Sequence, residues 1–285
     1  MKAKSTFWML GIAAMLASCS NEDVLQETND SAKNVVTFTA TLDEGMKTRA
    51  VDTDDNAGVD RAIVEVYADA AATQKVGERV EVRKGTDGKF TFSIPNLNAG
   101  QKYTFLFWAD NCALNEFDNT DLKNIKKKND GIGSVAYSLA TTLTPEEISQ
   151  SGVQLKHAVA KITMQTTVAL TTSDEIWLHC PGYESFNVLT NSSTGTSTII
   201  NCRACYNFSA GEMMRSDYFF CTEETQTLSI EYRGRPTQKV LTNVPVNPNK
   251  HIILKGDYAS IGLANANFSV TLDEDWGTGS GTTDF

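Results

Sequence analysis

From residue 35 onward the chain alternates. Val36, Phe38 and Ala40 occupy every second position, with Val35, Thr37 and Thr39 between them. A period of two is the pattern of a strand that buries one face. Val64 and Val66 alternate with Glu65 and Tyr67 in the same way. Val80 and Val82 run into Lys84-Gly85-Thr86-Asp87-Gly88, and Phe90, Phe92 and Ile94 follow, spaced by Thr91 and Ser93. A glycine-rich turn between two such segments predicts a hairpin. Tyr103 to Trp108 are apolar on both faces, as in a central strand buried twice. The second half predicts one long strand over Leu155–Val168. It predicts others at Glu175–His179, Ser197–Cys202, Thr227–Tyr232, Lys239–Val246, His251–Lys255 and Ala266–Leu272. Two short helices interrupt the pattern. Asp121–Lys128 carries its basic end C-terminally, which suits the helix dipole. Thr144-Pro145-Glu146-Glu147 offers an N-cap, a first-turn proline and a glutamate three residues after the cap. Many strands with sparse helix predict an all-β fold of two antiparallel β-sandwich domains, residues 35–151 and 152–285, meeting near Gly152.

The N-terminus follows another rule. Lys2 and Lys4 precede an apolar stretch of 11 residues, Phe7 to Ala17. That is far short of the roughly 20 residues a spanning helix needs. Leu16-Ala17-Ser18-Cys19 resembles the lipobox of bacterial lipoproteins, in which the cysteine is acylated and becomes the first mature residue. Ser20-Asn21-Glu22-Asp23 resembles the surface-export signal of Bacteroidota lipoproteins. Residues 1–18 therefore read as a signal peptide and 19–34 as a polar, flexible tether. The expected location is the outer membrane and cell surface, with acylated Cys19 in the lipid.

Charge narrows the partners. The chain carries 25 basic and 35 acidic side chains. Removing Lys2 and Lys4 with residues 1–18 leaves 23 against 35, a net of −12. Such a surface repels nucleic acid and anionic lipid, so the anchor is the acyl group and no nucleic-acid partner is expected. Apart from Cys19 there are five cysteines, Cys112, Cys180, Cys202, Cys205 and Cys221, an odd number that cannot all pair within one chain.

Several segments resemble the fimbrillins of Bacteroidota, the type V pilins and their lipoprotein relatives. Leu155-Lys156-His157-Ala158-Val159-Ala160-Lys161-Ile162 is similar to the strand that opens their second domain. Phe38 followed by Lys47-Thr48-Arg49-Ala50 is similar to their N-terminus. Asn243 to Lys250 with Gly256 resembles a late hairpin, and Phe268-Ser269-Val270-Thr271 with Trp276 resembles the terminal strand and closing tryptophan. The resemblance implies two transthyretin-like β-sandwich domains and a fimbrium subunit that assembles by strand exchange and acts in adhesion. Cleavage between Arg49 and Ala50 would free the first strand, Val35, Val36, Thr37, Phe38, Thr39 and Ala40, and sever the lipid anchor. A strand from another fimbrial subunit would fill the groove. An ordinary loop arginine at Arg49 is the other reading. The tail Gly277 to Phe285 has three glycines and one apolar residue, a poor donor pattern, which leaves Phe268–Leu272 as the donor, or a tip or anchor role. A host protein or glycan receptor is a further expected partner.

No catalytic constellation stands out, and no enzyme activity or cofactor is expected. His157, His179 and His251 are far apart in sequence. His179-Cys180 with Cys202-Arg203-Ala204-Cys205 and Cys221 is compatible with a metal site, redox chemistry, a disulfide or free thiols, but no second ligand pair at matched spacing is visible, so no metal is assigned. Asp52 to Gly58 is acidic but lacks the distal glutamate of a calcium loop. Tyr103, Phe105, Phe107 and Trp108 at strand spacing are core or, alternatively, a sugar-binding platform. The alternative function is a surface glycan-binding lipoprotein of nutrient uptake.

Overall fold

A computed structural model describes residues 35–43, 58–128, 134–222, 224–263, 267–272 and 281–284. The described chain is mostly β, arranged in three sheets.

The first sheet is built from β1 (Val35–Leu42), β2 (Arg61–Tyr67), β3 (Val80–Arg83), β4 (Phe90–Pro95), β5 (Tyr103–Asp110), β8 (Tyr137–Leu143) and β9 (Val153–His157). Its order is β3-β2-β5-β8-β9-β1-β4. The path folds back on itself at β9. Phe38 of β1 and Phe92 of β4 stack at 5.5 Å, and both meet Phe107 of β5 edge-on at 5.9 and 5.8 Å. Two arms of one sheet thus enclose an aromatic core, the geometry of a sandwich.

Every residue of β5 is buried, as its two-sided apolar pattern predicts. Phe105 and Phe107 face Phe38. Trp108 faces the other way, against Phe117 of β6 (Phe117–Asp118) and Phe186 of β11 (Ile176–Asn187). The aromatic residues of the 103–108 run are therefore core and offer no platform to a sugar.

The second sheet runs β13-β10-β16-β17-β18, from β10 (Ala160–Thr166), β13 (Met213–Phe219), β16 (His251–Gly256), β17 (Phe268–Leu272) and β18 (Gly281–Asp284). The third runs β15-β14-β11-β7-β6, from β7 (Ile125–Lys127), β14 (Gln226–Tyr232) and β15 (Lys239–Val244), with β12 (Ser192–Ala204) also paired to β11. These two sheets enclose a second apolar core, including Ile162, Leu178, Ile230, Ile252 and Leu254.

Helix α1 (Pro145–Ser151) forms as its start signals require. Thr144 Oγ1 accepts from the Glu147 N–H at 3.2 Å, and the Glu147 carboxylate accepts from the Thr144 N–H at 2.7 Å. This capping box satisfies two donors that a helix start otherwise leaves open.

Three expectations are corrected. The segments β3 and β4 do not form a hairpin. β3 pairs with β2 and β4 with β1, at opposite ends of the first sheet. Their alternation gives each a buried face but does not say which strand lies alongside. Residues 121–128 are not a helix. The Asp121 carboxylate accepts from the Lys123 N–H at 2.9 Å, closing a local turn, and Ile125 is drawn into the core as part of β7. The long strand over 155–168 is broken between His157 and Ala160. Ala158 and Val159 pack in the first core and Ala160 in the second, so the chain steps between sheets there. Strands β6 and β7 join the third sheet through Phe186↔Ile125.

Candidate functional site

The first strand, named from the sequence as the candidate exchanged strand, is held between two others. Phe38, Ala40 and Leu42 point inward, while Thr37 is exposed. Along Val35–Ala40 the strand is antiparallel to β4, with Phe38 opposite Phe92. Along Ala40–Leu42 it is parallel to β9, with Ala40 opposite Val153. The Asp43 N–H continues this ladder to the Leu155 carbonyl at 2.8 Å. Helix α1 covers the remaining edge, where Ser149 Oγ donates to the Thr37 carbonyl at 3.0 Å.

Gly152 ends that helix against β1. Its φ is +62°, and a Cβ there would stand 2.8 Å from the Thr39 carbonyl oxygen. Only glycine fits both the left-handed backbone and the close approach. The sequence marks Gly152 as a boundary; its contact with β1 requires the fold to see.

Without β1, Phe92, Phe105 and Phe107 would lose their common partner, and the inner edges of β4 and β9 would lose theirs. Phe38 is 3% exposed and Leu42 6%. Burying two such side chains contributes roughly 1.5–3 kcal/mol each. The chain leaves β1 at Asp43 and re-enters the described structure at Gly58. Cys19, Arg49 and Ala50 lie outside the described residues, as does the acidic loop up to Ala57.

The proposed donor Phe268–Leu272 is β17, held between β16 and β18. Phe268 lies across Gly256, where a Cβ would meet its ring at 2.2 Å, and packs edge-on to Tyr258 at 4.9 Å. It is a member of the second core. The glycine-containing tail, which the sequence pattern sets aside, supplies the edge strand β18.

The cysteine pattern resolves into free thiols. No disulfide joins Cys112, Cys180, Cys202, Cys205 or Cys221. Cys180 and Cys202 face the second core, and burial pushes both thiols well above their ordinary pKa. Cys205 lies past the end of β12, partly exposed. Among the described residues no group of three or more His, Cys, Asp or Glu is placed to hold a metal ion. The histidines are separate: His157 bonds Asn249 at 3.0 Å, His179 bonds Asn201 at 2.5 Å, and His251 bonds Thr163 at 2.7 Å.

Sequence reasoning missed one polar hub. Asp110, 1% exposed, accepts two bonds from Arg61, both at 2.8 Å, one from Trp108 at 3.0 Å and one from Asn119 at 3.2 Å. It ties the 111–124 segment to the first sheet, and nothing in residue spacing reveals it.

A family model described as a family of unknown function, DUF6562, matches residues 27–283. The chain belongs to the DUF6562 family. No curated protein matches it. Among solved structures it is similar to a candidate cell adhesion protein from Bacteroides ovatus, with 16% identity, a TM-score of 0.54, and coverage of 86% of this chain and 98% of that one. A candidate cell adhesion protein from Bacteroides uniformis gives 12% identity, a TM-score of 0.53, and 85% and 99% coverage. A candidate adhesin from Bacteroides thetaiotaomicron gives 11% identity, a TM-score of 0.54, and 84% and 96% coverage. At these identities the likeness of this DUF6562 member extends to the fold.

Proposed function

We propose that this DUF6562 protein is a non-enzymatic subunit of a surface fimbrium, built as two transthyretin-like sandwiches and assembled by strand exchange, with a role in adhesion. It travels as a lipoprotein acylated at Cys19 and reaches the outer membrane in a protected state, with β1 occupying its own groove. Cleavage after Arg49 then separates residues 19–49, anchor and β1 together, from the body. A strand from another fimbrial subunit replaces β1.

One observation carries this reading. The β1 strand is inserted between β4 and β9, is covered by α1, and is followed by the chain segment 44–57, which connects it covalently to the body. A strand so placed can be cut free at one point, and it leaves unpaired backbone groups that a new strand satisfies. The solved structures of similar fold are candidate cell adhesion proteins and an adhesin, which agrees with the role.

The test is limited digestion of the folded protein with an arginine-specific protease, with or without candidate partner subunits. N-terminal sequencing should give Ala50, and a gel should show ladders of oligomers. Arg49→Ala should stay monomeric under the same treatment. Cleaved wild type that stays monomeric with partners present defeats the strand-exchange reading.

A further inference from the structure

The outer face of the third sheet carries chemistry that strand exchange does not use. Arg203 and Arg233 meet at one end of it, with Arg215 of β13, ion-paired to Asp217, beside Arg203. Arg203 Nε and Arg233 Nη1 both reach the Glu175 carboxylate, at 2.7 and 2.8 Å. Arg215 donates to the Arg203 carbonyl at 3.2 Å. The side chains of Arg203 and Arg233 remain 50% and 62% exposed. A guanidinium has five N–H donors in a planar fork, so both keep donors on their outer edges. Burial opposes the charge on Glu175, but Arg233, Trp177 and Arg203 outweigh it and hold the carboxyl below its ordinary range, so it fixes the pair in place near neutral pH.

Aromatic rings are interleaved with these cations. Trp177 sits in register between Arg203 on β12 and Glu231 on β14, and its Nε1 donates to Glu175 at 3.0 Å. Tyr206, just past β12, is 68% exposed. Two residues along β11 from Trp177, a row of Asn201, His179, Ser229 and Val240 crosses four strands. There a shallow trough of about 360 Å³ opens between the exposed Ile199 and Val240, lined also by His179, Ser229 and Gln238.

We infer that this face binds an acidic glycan, with a sugar carboxylate on the outer edges of Arg203 and Arg233, a sugar ring against Trp177 or Tyr206, and further sugar units along the trough. Two guanidiniums share the single Glu175 carboxylate, which leaves one positive charge and their outer N–H donors for a second carboxylate, while Glu231, bonded to His179 at 3.2 Å and Gln238 at 3.0 Å, is the opposing charge on this face. The floor supplies hydroxyl, amide and imidazole groups that match sugar hydroxyls. An acidic peptide adding as a strand would dock along the outer edge of β12 or β15, each paired on one side only, and not across the face where Arg203, Arg233, Trp177 and the trough lie. Binding here needs neither cleavage nor exchange of β1, so it succeeds or fails separately from fimbrial assembly.

The full-length, uncleaved protein is titrated calorimetrically with tetragalacturonate and with 3′-sialyllactose, using maltotetraose and lactose as neutral controls and a glutamate tetrapeptide as the acidic peptide. At least one acidic sugar should bind, more weakly as salt is raised, and the neutral sugars should bind at least tenfold less tightly. Arg203→Gln/Arg233→Gln should lose at least tenfold, Tyr206→Ala several-fold, and Arg83→Gln on the first sheet nothing. If the double variant does not fold, the exposed single variant Arg233→Gln takes its place with a loss of several-fold. Failure of both acidic sugars to bind, equal binding of neutral sugars, tighter binding of the peptide, or unchanged affinity in the arginine variants overturns the inference.

Discussion

Truncating Phe38 to alanine gives the most direct measure of how firmly β1 is seated. The ring is 3% exposed and lies 5.5 Å from Phe92 and 5.9 Å from both Phe105 and Phe107. Removing a fully packed phenylalanine costs about 3–5 kcal/mol, through lost burial and the cavity left behind. Three aromatic partners place the loss in the upper part of that range. Against a total stability of roughly 5–15 kcal/mol this is a large share. The effect should also be local. If β1 can leave while the second core persists, amides of β4 should exchange with solvent about 10³ times faster or more in Phe38→Ala, while amides of β10 and β16 are unchanged. Thr39→Ala, on the opposite face of the strand, should stay within about 0.5 kcal/mol of wild type. Urea denaturation measures the first quantity, and hydrogen exchange read by mass spectrometry the second. A loss under about 1.5 kcal/mol, or a rise in exchange spread evenly over both cores, would refute the idea of a separately releasable strand.

Two further outcomes follow from the geometry. Gly152→Ala should destabilise by about 1–3 kcal/mol, since it adds a side chain at a positive φ against the Thr39 carbonyl; a neutral effect in denaturant would show that β1 and α1 are not in firm contact. Native protein at pH 8 should label at Cys112 and Cys205 with a small thiol reagent and resist at Cys180 and Cys202. Because burial raises the folded pKa of the latter two, the stability they confer is complete below the unfolded thiol value of about 8.5 and declines as pH rises above it. Cys180→Ala/Cys202→Ala should therefore show a shallower alkaline loss of stability than wild type, and an identical slope would count against the buried-thiol account.

The sequence is most legible where a local rule and the tertiary environment agree. Thr144 to Glu147 specify a capped helix within four residues, and α1 forms there. The alternation of Val36, Phe38 and Ala40 names the buried face of β1 correctly, because a half-buried strand has no other way to hide those groups. Legibility fails where partners are distant. The alternation in β3 and β4 cannot say that one turn carries the chain from one arm of the sheet to the other. Ile125 reads as part of a charged helix until pairing with Phe186 brings it into the first core. The arginine face is invisible in sequence for the same reason: Glu175, Arg203 and Arg233 meet only because β11 lies between β12 and β14.

The double pairing of β1 also has a mechanical meaning. Interstrand hydrogen bonds stand across the strand axis, so tension applied along that axis strains many of them at once and in shear. A pull transmitted from the N-terminal side of Val35 to the body beyond Asp43 runs lengthwise through β1. It meets the antiparallel ladder to β4 and then the parallel ladder to β9. Peeling from one end, which would break bonds singly at low force, is not the direction of such a pull. In the proposed fimbrial role, a load carried through this strand would fall on both ladders at once, and cutting the connecting chain would leave those ladders and the packed Phe38 and Leu42 holding the strand until another replaced it.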